Sequence, residues 1–456
     1  MLTRTLLRCV AAAALLGGLC APAPASADPG WSAPASLSAC PAAQAPQVVF
    51  PSDSPTHATG WGAIVWEGSP DCAGGAGARV ARIGADDAPG PARIPSSPAG
   101  RPLLLAGPLT AGGGTDGRIV IAGSAPAHAG AEELLQGYPG GSFVQALPGM
   151  GAVAPWALAN AYLGDAALAD AAPAAAGALQ LSLERHYASR FADPARERLP
   201  AQGPVHALTV ALDYRSEALL VWQQAGWLWA RDVPGAGTAH RARRLARATP
   251  AVSVAALLSD DDRAIVAWSQ QLDGYTNVYL DRSAPGVSFG APQLLERFAD
   301  PPGAAAPAVS TRLVRLSSES VMMAWAGAEG SRRVVRVAAV DLHGLRTVRT
   351  IAPPGGDALL AGLAPGPEGE AIVLWTQPAT AQDGTADVQS QAIFAARGFD
   401  AYPGLTYFEA PEQVAPQGPN SAATLAVDPG TGAAVAVWLA QSQTPAYAIR
   451  SPGRAG

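Results

Sequence analysis

One pattern of apolar positions recurs along the chain: a short aliphatic run leading into a tryptophan. It appears as Ala63-Ile64-Val65-Trp66, Leu219-Leu220-Val221-Trp222, Ile265-Val266-Ala267-Trp268, Met322-Met323-Ala324-Trp325, Ile372-Val373-Leu374-Trp375 and Val435-Ala436-Val437-Trp438. The last five copies are 46, 57, 50 and 63 residues apart, and the 156 residues between Trp66 and Trp222 leave room for two more units. Degenerate strands stand where those units require them, at Arg118-Ile119-Val120-Ile121 and Ala166-Ala167-Leu168-Ala169. Turn signals at a spacing of roughly 8 to 15 residues, with almost no 3.6-residue periodicity, predict an all-β chain built from repeats.

A second landmark fixes the phase of the repeat. An apolar-x-Arg strand is followed by a turn and an aromatic-Ala-Pro segment, as in Val278-Tyr279-Leu280-Asp281-Arg282 with Phe289-Gly290-Ala291-Pro292. Leu181 to Arg185 with Phe191-Ala192-Asp193-Pro194 repeats it, and so does Ala395-Ala396-Arg397 with Phe408-Glu409-Ala410-Pro411. Each unit then reads as four strands: an inner Ala/Val/Leu strand, the Trp strand, the Arg strand and an outer strand. Eight such units, at residues 47–95, 101–148, 150–199, 204–246, 249–295, 307–352, 357–414 and 420–450, are the blade arithmetic of a β-propeller, with seven blades as the alternative. The last unit lacks a fourth strand, and residues 31–38 supply one: Trp31-Ser32-Ala33-Pro34-Ala35-Ser36-Leu37 matches Phe289 to Leu295 position for position. Ring closure by the N-terminal segment removes an open sheet edge. Residues 28–456 are thus expected to form one propeller domain.

On these repeats the chain resembles secreted bacterial β-propeller proteins, and loosely the TolB-like and sialidase-like propellers. The resemblance covers nearly all of residues 31 to 450 and implies architecture. It carries no functional residue, because the sialidase Asp box, the kelch double glycine and the Gly-His with Trp-Asp signature are missing.

Composition narrows the setting. Residues 1–27 have a positive head at Arg4 and Arg8, ten apolar residues from Val10 to Leu19, and Ala25-Ser26-Ala27 before Asp28, the layout of a secretion signal peptide. The apolar stretch is half the roughly 20 residues that cross a bilayer. A secreted or periplasmic protein is expected, with no transmembrane segment after cleavage. All 30 basic residues are Arg, which fits a GC-rich coding sequence, and the net charge of −6 gives no overall basic surface for nucleic acid. Cys9 and Cys20 fall in the leader, so Cys40 and Cys72 are expected to pair as a disulfide that staples the closure.

No catalytic constellation is legible. Gly286-Val287-Ser288-Phe289-Gly290 fits the GxSxG spacing of hydrolases but sits between predicted strands, and Gly112 to Gly117 fits GxGxxG but leads into a strand with no helix to hold a phosphate. Asp260-Asp261-Asp262 reads as a turn, and the six histidines lack metal-ligand spacing. His240 to Arg247 is the one basic run, on an outer strand, while Trp61, Trp227 and Trp229 break the phase of the repeat and are expected to be exposed. Inner strands such as Pro102-Leu103-Leu104-Leu105, Leu208 to Leu212, Val252 to Leu257 and Thr424 to Val427 are almost free of ionisable groups, with Arg312 and Arg315 the exceptions. Candidate binding residues therefore fall on rim loops: Asp71, Asp273, Tyr275, Asp300, Asp383 and Asp387. The expected role is a monomeric, cofactor-free and metal-free scaffold that binds an extracytoplasmic protein or glycan through its rim. A carbohydrate hydrolase or lyase using loop carboxylates is the alternative, and a structural protein without ligand is the third reading.

Overall fold

A computed structural model describes residues 30–51, 62–84, 88–113, 118–125, 131–147, 153–160, 166–173, 179–187, 190–200, 204–213, 217–233, 241–249, 252–258, 263–283, 289–299, 310–316, 320–330, 332–341, 344–351, 357–380, 386–400, 406–441 and 443–451. It is nearly all β, in antiparallel sheets that fit a propeller. Chain order gives eight of them. A short strand β1 (Ala35–Ser36) precedes sheet 1, which holds β2 (Gln47–Val49), β3 (Gly62–Gly68) and β4 (Gly77–Ile83). Sheet 2 holds β5 (Ala106–Gly113), β6 (Ile119–Ala125), β7 (Ala131–Gly137) and β8 (Phe143–Leu147), and sheet 3 holds β9 (Val153–Asn160), β10 (Ala166–Pro173), β11 (Leu179–Tyr187) and β12 (Arg190–Pro200). Sheet 4 is β13 (Val205–Leu212), β14 (Ala218–Gln224), β15 (Trp227–Val233) and β16 (Arg243–Arg247); sheet 5 is β17 (Val252–Leu258), β18 (Ala264–Leu272), β19 (Tyr275–Ser283) and β20 (Gln293–Ala299). Sheet 6 is β21 (Thr311–Arg315), β22 (Val321–Glu329), β23 (Arg332–Asp341) and β24 (Gly344–Thr350). Sheet 7 is β25 (Leu359–Pro365), β26 (Glu370–Thr380), β27 (Ala386–Asp400), β28 (Thr406–Phe408) and β29 (Glu412–Gly418). Sheet 8 is β30 (Ser421–Val427), β31 (Ala434–Ala440) and β32 (Thr444–Arg450), with β1 on its edge.

Every aliphatic-Trp run is the second strand of its sheet, and the reason is burial on both faces. Trp66, Trp268, Trp325, Trp375 and Trp438 are fully buried and Trp222 is 4% exposed. Each indole packs in a core shared with the preceding sheet: Trp222 with sheet 3, Trp268 with sheet 4, Trp325 with sheet 5, Trp375 with sheet 6, Trp438 with sheet 7 and Trp66 with sheet 8. The intervening aliphatic residues point the other way, into the core with the following sheet, because successive strand residues alternate faces. Thus Leu219 and Val221 pack against sheet 5, whereas Leu220 joins Trp222.

The N-terminal segment completes sheet 8. β1 pairs antiparallel with β32, Ala35 opposite Tyr447, and Trp31 bridges Arg450. Hydrogen bonds from Ser32 N to Ile449 O (2.7 Å), Leu37 N to Pro445 O (2.8 Å) and Ala42 N to Gln443 O (2.8 Å) extend the seam, and Ala43 N then crosses to Glu67 O of sheet 1 (2.7 Å). Cys40 and Cys72 form the expected disulfide, with Cα atoms 5.3 Å apart, between this crossing segment and the β3–β4 hairpin. The regular strand is two residues rather than the eight of 31–38, since Pro34 cannot donate to a ladder.

Three expectations need correction. The sheets are not uniformly four-stranded: sheet 1 has three strands, and residues 88–105 cover its edge through isolated bridges such as Val80 to Arg93 and Ile83 to Pro89. In sheet 7 the outer strand is split by Glu409-Ala410-Pro411 into β28 and β29, both on β27. The inner strand of the second unit is β5, not Pro102 to Leu105; the latter segment is a covering loop whose Leu105 is fully buried between sheets 1 and 2. The leader, Trp61, the Asp260 to Asp262 cluster and Ser288 lie outside the described residues.

Candidate functional site

Strands that alternate in direction place the second-to-third hairpins and the fourth-to-first connections at one end of the sheets. Asp71 lies there, exposed in the β3–β4 hairpin beside the disulfide. Asp273 and Gly274 form the two-residue β18–β19 turn, with φ of 54° and 76°, so the Asp-Gly pair serves a turn of left-handed residues. Tyr275 opens β19 immediately after it and is 39% exposed. Asp387 lies in β27 opposite Ala379, while Asp300 and Asp383 are outside the described residues. Asp71 and Asp273 belong to sheets 1 and 5, which share no described core, so these two candidates are not brought together. Among the described residues no three His, Cys, Asp or Glu side chains gather as metal ligands would.

The inner strands use their polar side chains on one another. Gln47 Nε2 donates to Leu109 O (2.6 Å) and its Oε1 accepts from Ala111 N–H (2.9 Å) across sheets 1 and 2. Thr424 Oγ donates to Pro46 O (2.9 Å), Ser310 Oγ to Leu360 O (2.8 Å), and Arg315 to Leu258 O. Each bond ties one sheet to its neighbour, which satisfies the polar group and fixes the inner rows. Arg312 is different: its guanidinium donates to Thr311 O of its own strand (3.1 Å). Desolvation of the guanidinium lowers its pKa.

The two signals that sequence reading kept apart, the out-of-phase tryptophans and the basic run, meet on sheet 4. Register places Trp229 opposite Arg244 and Trp227 opposite Arg247, with a bulge between the two pairs. The Arg244 guanidinium carbon lies 4.8 Å from the Trp227 ring centroid and 5.0 Å from that of Trp229, and that of Arg247 lies 5.4 Å from Trp227. Trp229 in turn stacks on Trp222, centroids 6.2 Å apart and planes 9° apart, and donates its indole N–H to Gln224 O (3.3 Å). Trp227 and Trp229 are therefore half-buried rather than exposed, a correction explained by these two layers of cover. Arg241, Arg243, Arg244 and Arg247 are exposed.

Sheet 5 repeats the device. Arg297 of β20 lies 4.0 Å over the Tyr275 ring. Trp227 and Tyr275 occupy the same place, the first residue of the third strand after a two-residue turn, Ala225-Gly226 (φ 50° and 75°) in one sheet and Asp273-Gly274 in the next. Tyr275 was legible as a rim candidate, whereas Arg244, Arg247 and Arg297 were missed as site residues, since only the register shows which ring each arginine covers.

No family model matches the chain, and no curated protein does. Among solved structures it is similar to a polysaccharide lyase of the ulvan lyase family PL25, at 11% identity over 92% of this chain and 95% of that one, TM-score 0.48. It is also similar to a puromycin hydrolase (18% identity, 74% and 52% covered, TM-score 0.41) and to AofleA from Arthrobotrys oligospora (14%, 66% and 84%, TM-score 0.38). These are distant likenesses, at TM-scores below 0.5.

Proposed function

We propose that the eight sheets are blades of one closed propeller, residues 28–456, and that the chain is a non-catalytic, extracytoplasmic scaffold whose rim binds a protein or glycan. Closure is supported by the seam of residues 31–42, which bonds sheet 8 on one side and sheet 1 on the other. The Cys40–Cys72 disulfide is compatible with life outside the cytoplasm, and no helix among the described residues is long and apolar enough to cross a membrane. The observation that carries the binding reading is the pair of aromatic–arginine stacks on the rim hairpins of sheets 4 and 5. A propeller of this kind presents rigid hairpins on a fixed frame, which lowers the ordering cost of a binding surface.

A thermal-shift screen against glycans, peptidoglycan fragments and divalent cations, with EDTA as control, tests this reading. A ligand present at 100 times its dissociation constant adds about 2.7 kcal/mol, a clear rise in melting temperature. A response to at least one glycan or peptide is expected; a flat screen, together with no retention on any envelope component, contradicts it.

A further inference from the structure

We infer that the aromatic–arginine shelf of sheets 4 and 5 is a binding surface for an acidic polysaccharide, a polymer of carboxylated sugars. This names the ligand class of the rim proposed above and rests on that reading.

A guanidinium lying face-on to a ring keeps its N–H donors in its own plane, directed away from the ring. The guanidinium carbons of Arg244, Arg247 and Arg297 lie over aromatic rings, and among the described residues none of the three has a carboxylate within ion-pair reach or a hydrogen-bond acceptor. On sheets 6 to 8 three forks are filled instead: Arg336 meets Glu296 at 3.0 Å, Arg450 meets Glu412 at 3.2 Å, and Arg397 pairs with Glu370. These arginines are thus held against rings with no protein acceptor among the described residues, which leaves their planar forks for bidentate capture of a carboxylate.

Charge and position select the occupant. Arg241, Arg243, Arg244, Arg247 and Arg297 are exposed, while Asp273 is the one exposed acid on the adjoining hairpin. On a chain of net charge −6 this is a local concentration of positive charge. The stacks fall at the same hairpin end of consecutive sheets, each on the face turned toward the preceding sheet, so successive rim hairpins offer a linear ligand the same pair of groups. Ring edges beside arginine forks match a sugar chain, which alternates apolar ring faces with carboxylates. A single small anion would need one fork, not a row.

The test uses the chain from Asp28 and calorimetric titration with oligogalacturonate, its methyl-esterified neutral counterpart, a sulfated dextran and duplex DNA. Binding to oligogalacturonate, at least tenfold weaker for the ester, is expected. Arg244→Ala with Arg247→Ala should lose about tenfold or more, Trp227→Ala should also weaken binding, and Arg101→Ala, an exposed arginine away from the shelf, should change nothing. Circular dichroism and melting temperature confirm that each variant is folded; Arg244→Lys with Arg247→Lys, which keeps charge but not the planar fork, gives the same reading if an alanine variant fails to fold. Equal binding of sulfated dextran and DNA would show an unselective polyanion surface and overturn the sugar assignment. Binding of any glycan that survives the double substitution overturns this inference and leaves the rim-binding reading standing. No binding of oligogalacturonate overturns this inference too, while the thermal-shift screen judges the broader reading on its own.

Discussion

Arginines do different work in the middle and in the last part of the repeat series. In sheets 6 to 8, Arg336, Arg397 and Arg450 come from third strands and end on carboxylates, and the side chains are mostly buried, Arg450 at 4% exposure. Glu296 is the most heavily used of those carboxylates: it accepts from Trp325 Nε1 (2.8 Å) and Ala328 N–H (3.0 Å) as well as pairing with Arg336, so an outer-strand acid of sheet 5 is plugged into sheet 6. In sheets 4 and 5, Arg244, Arg247 and Arg297 come from fourth strands, are exposed, and end on aromatic rings. A filled fork in a buried place holds strands together, across two sheets for Arg336 and Arg450 and within sheet 7 for Arg397, which also lies 4.5 Å over the Phe399 ring. An open fork on a ring does little for the fold and is available to something else.

The disulfide sets the upper end of the scale against which both groups are judged. Cys40→Ala with Cys72→Ala frees a loop of sequence separation 32 and should cost about 3–4 kcal/mol, read as a fall in the denaturation midpoint. Glu296→Ala comes next: it strands a buried indole N–H and a mostly buried guanidinium, and should cost about 2–3 kcal/mol. A loss no larger than that of a rim substitution would erase the contrast between the two regions.

Asp281, on the third strand of sheet 5, sharpens the comparison from the acid side. It is 4% exposed, accepts the Arg282 N–H at 2.8 Å, and burial raises its pKa from 3.8 to about 6, against the opposing pull of backbone N–H groups and the Arg282 charge. The folded chain therefore takes up this proton as pH falls through 6, whereas the unfolded chain waits until about 3.8. The carboxylate is a net cost above pH 6, and that cost is relieved as the pH falls towards 4. Asp281→Asn should stabilise the protein above pH 6 by up to about 2 kcal/mol, with the gain fading below pH 4, in melting curves recorded across that range. The smallest effect is expected from Arg244→Ala, Arg247→Ala or Arg297→Ala, each within about 0.5 kcal/mol of the parent.

Much of the frame was legible because burial on both faces leaves a distinctive mark: aliphatic runs ending in tryptophan located the second strands, and the match of Trp31 to Leu37 with an outer strand located the seam. The inner strand of sheet 2 was not legible, for a local reason. Its sequence, Ala106-Gly107-Pro108-Leu109-Thr110-Ala111-Gly112-Gly113, reads as a turn, yet a side chain at Gly113 would run into the Phe50 backbone of sheet 1, so close approach demands glycine there. Conversely Leu103 to Leu105 read as a strand because they are apolar, and they are apolar because they cover a core. The shelf was half legible. Its tryptophans and arginines were conspicuous separately, but Trp227 and Arg247 are 20 residues apart, and only a bulged register sets one against the other. The Glu296 plug left no sequence signal, since its partners lie on another sheet.

The contrast reduces to one crossed measurement. Melting temperature and retention on an oligogalacturonate column are recorded for two triple variants, Arg244→Lys/Arg247→Lys/Arg297→Lys and Arg336→Lys/Arg397→Lys/Arg450→Lys, in which charge is kept and the planar fork is lost. The first set is expected to lose retention with its melting temperature unchanged, and the second to melt earlier with retention intact. If the first set melts as early as the second, or keeps its retention, the division between holding arginines and binding arginines is wrong.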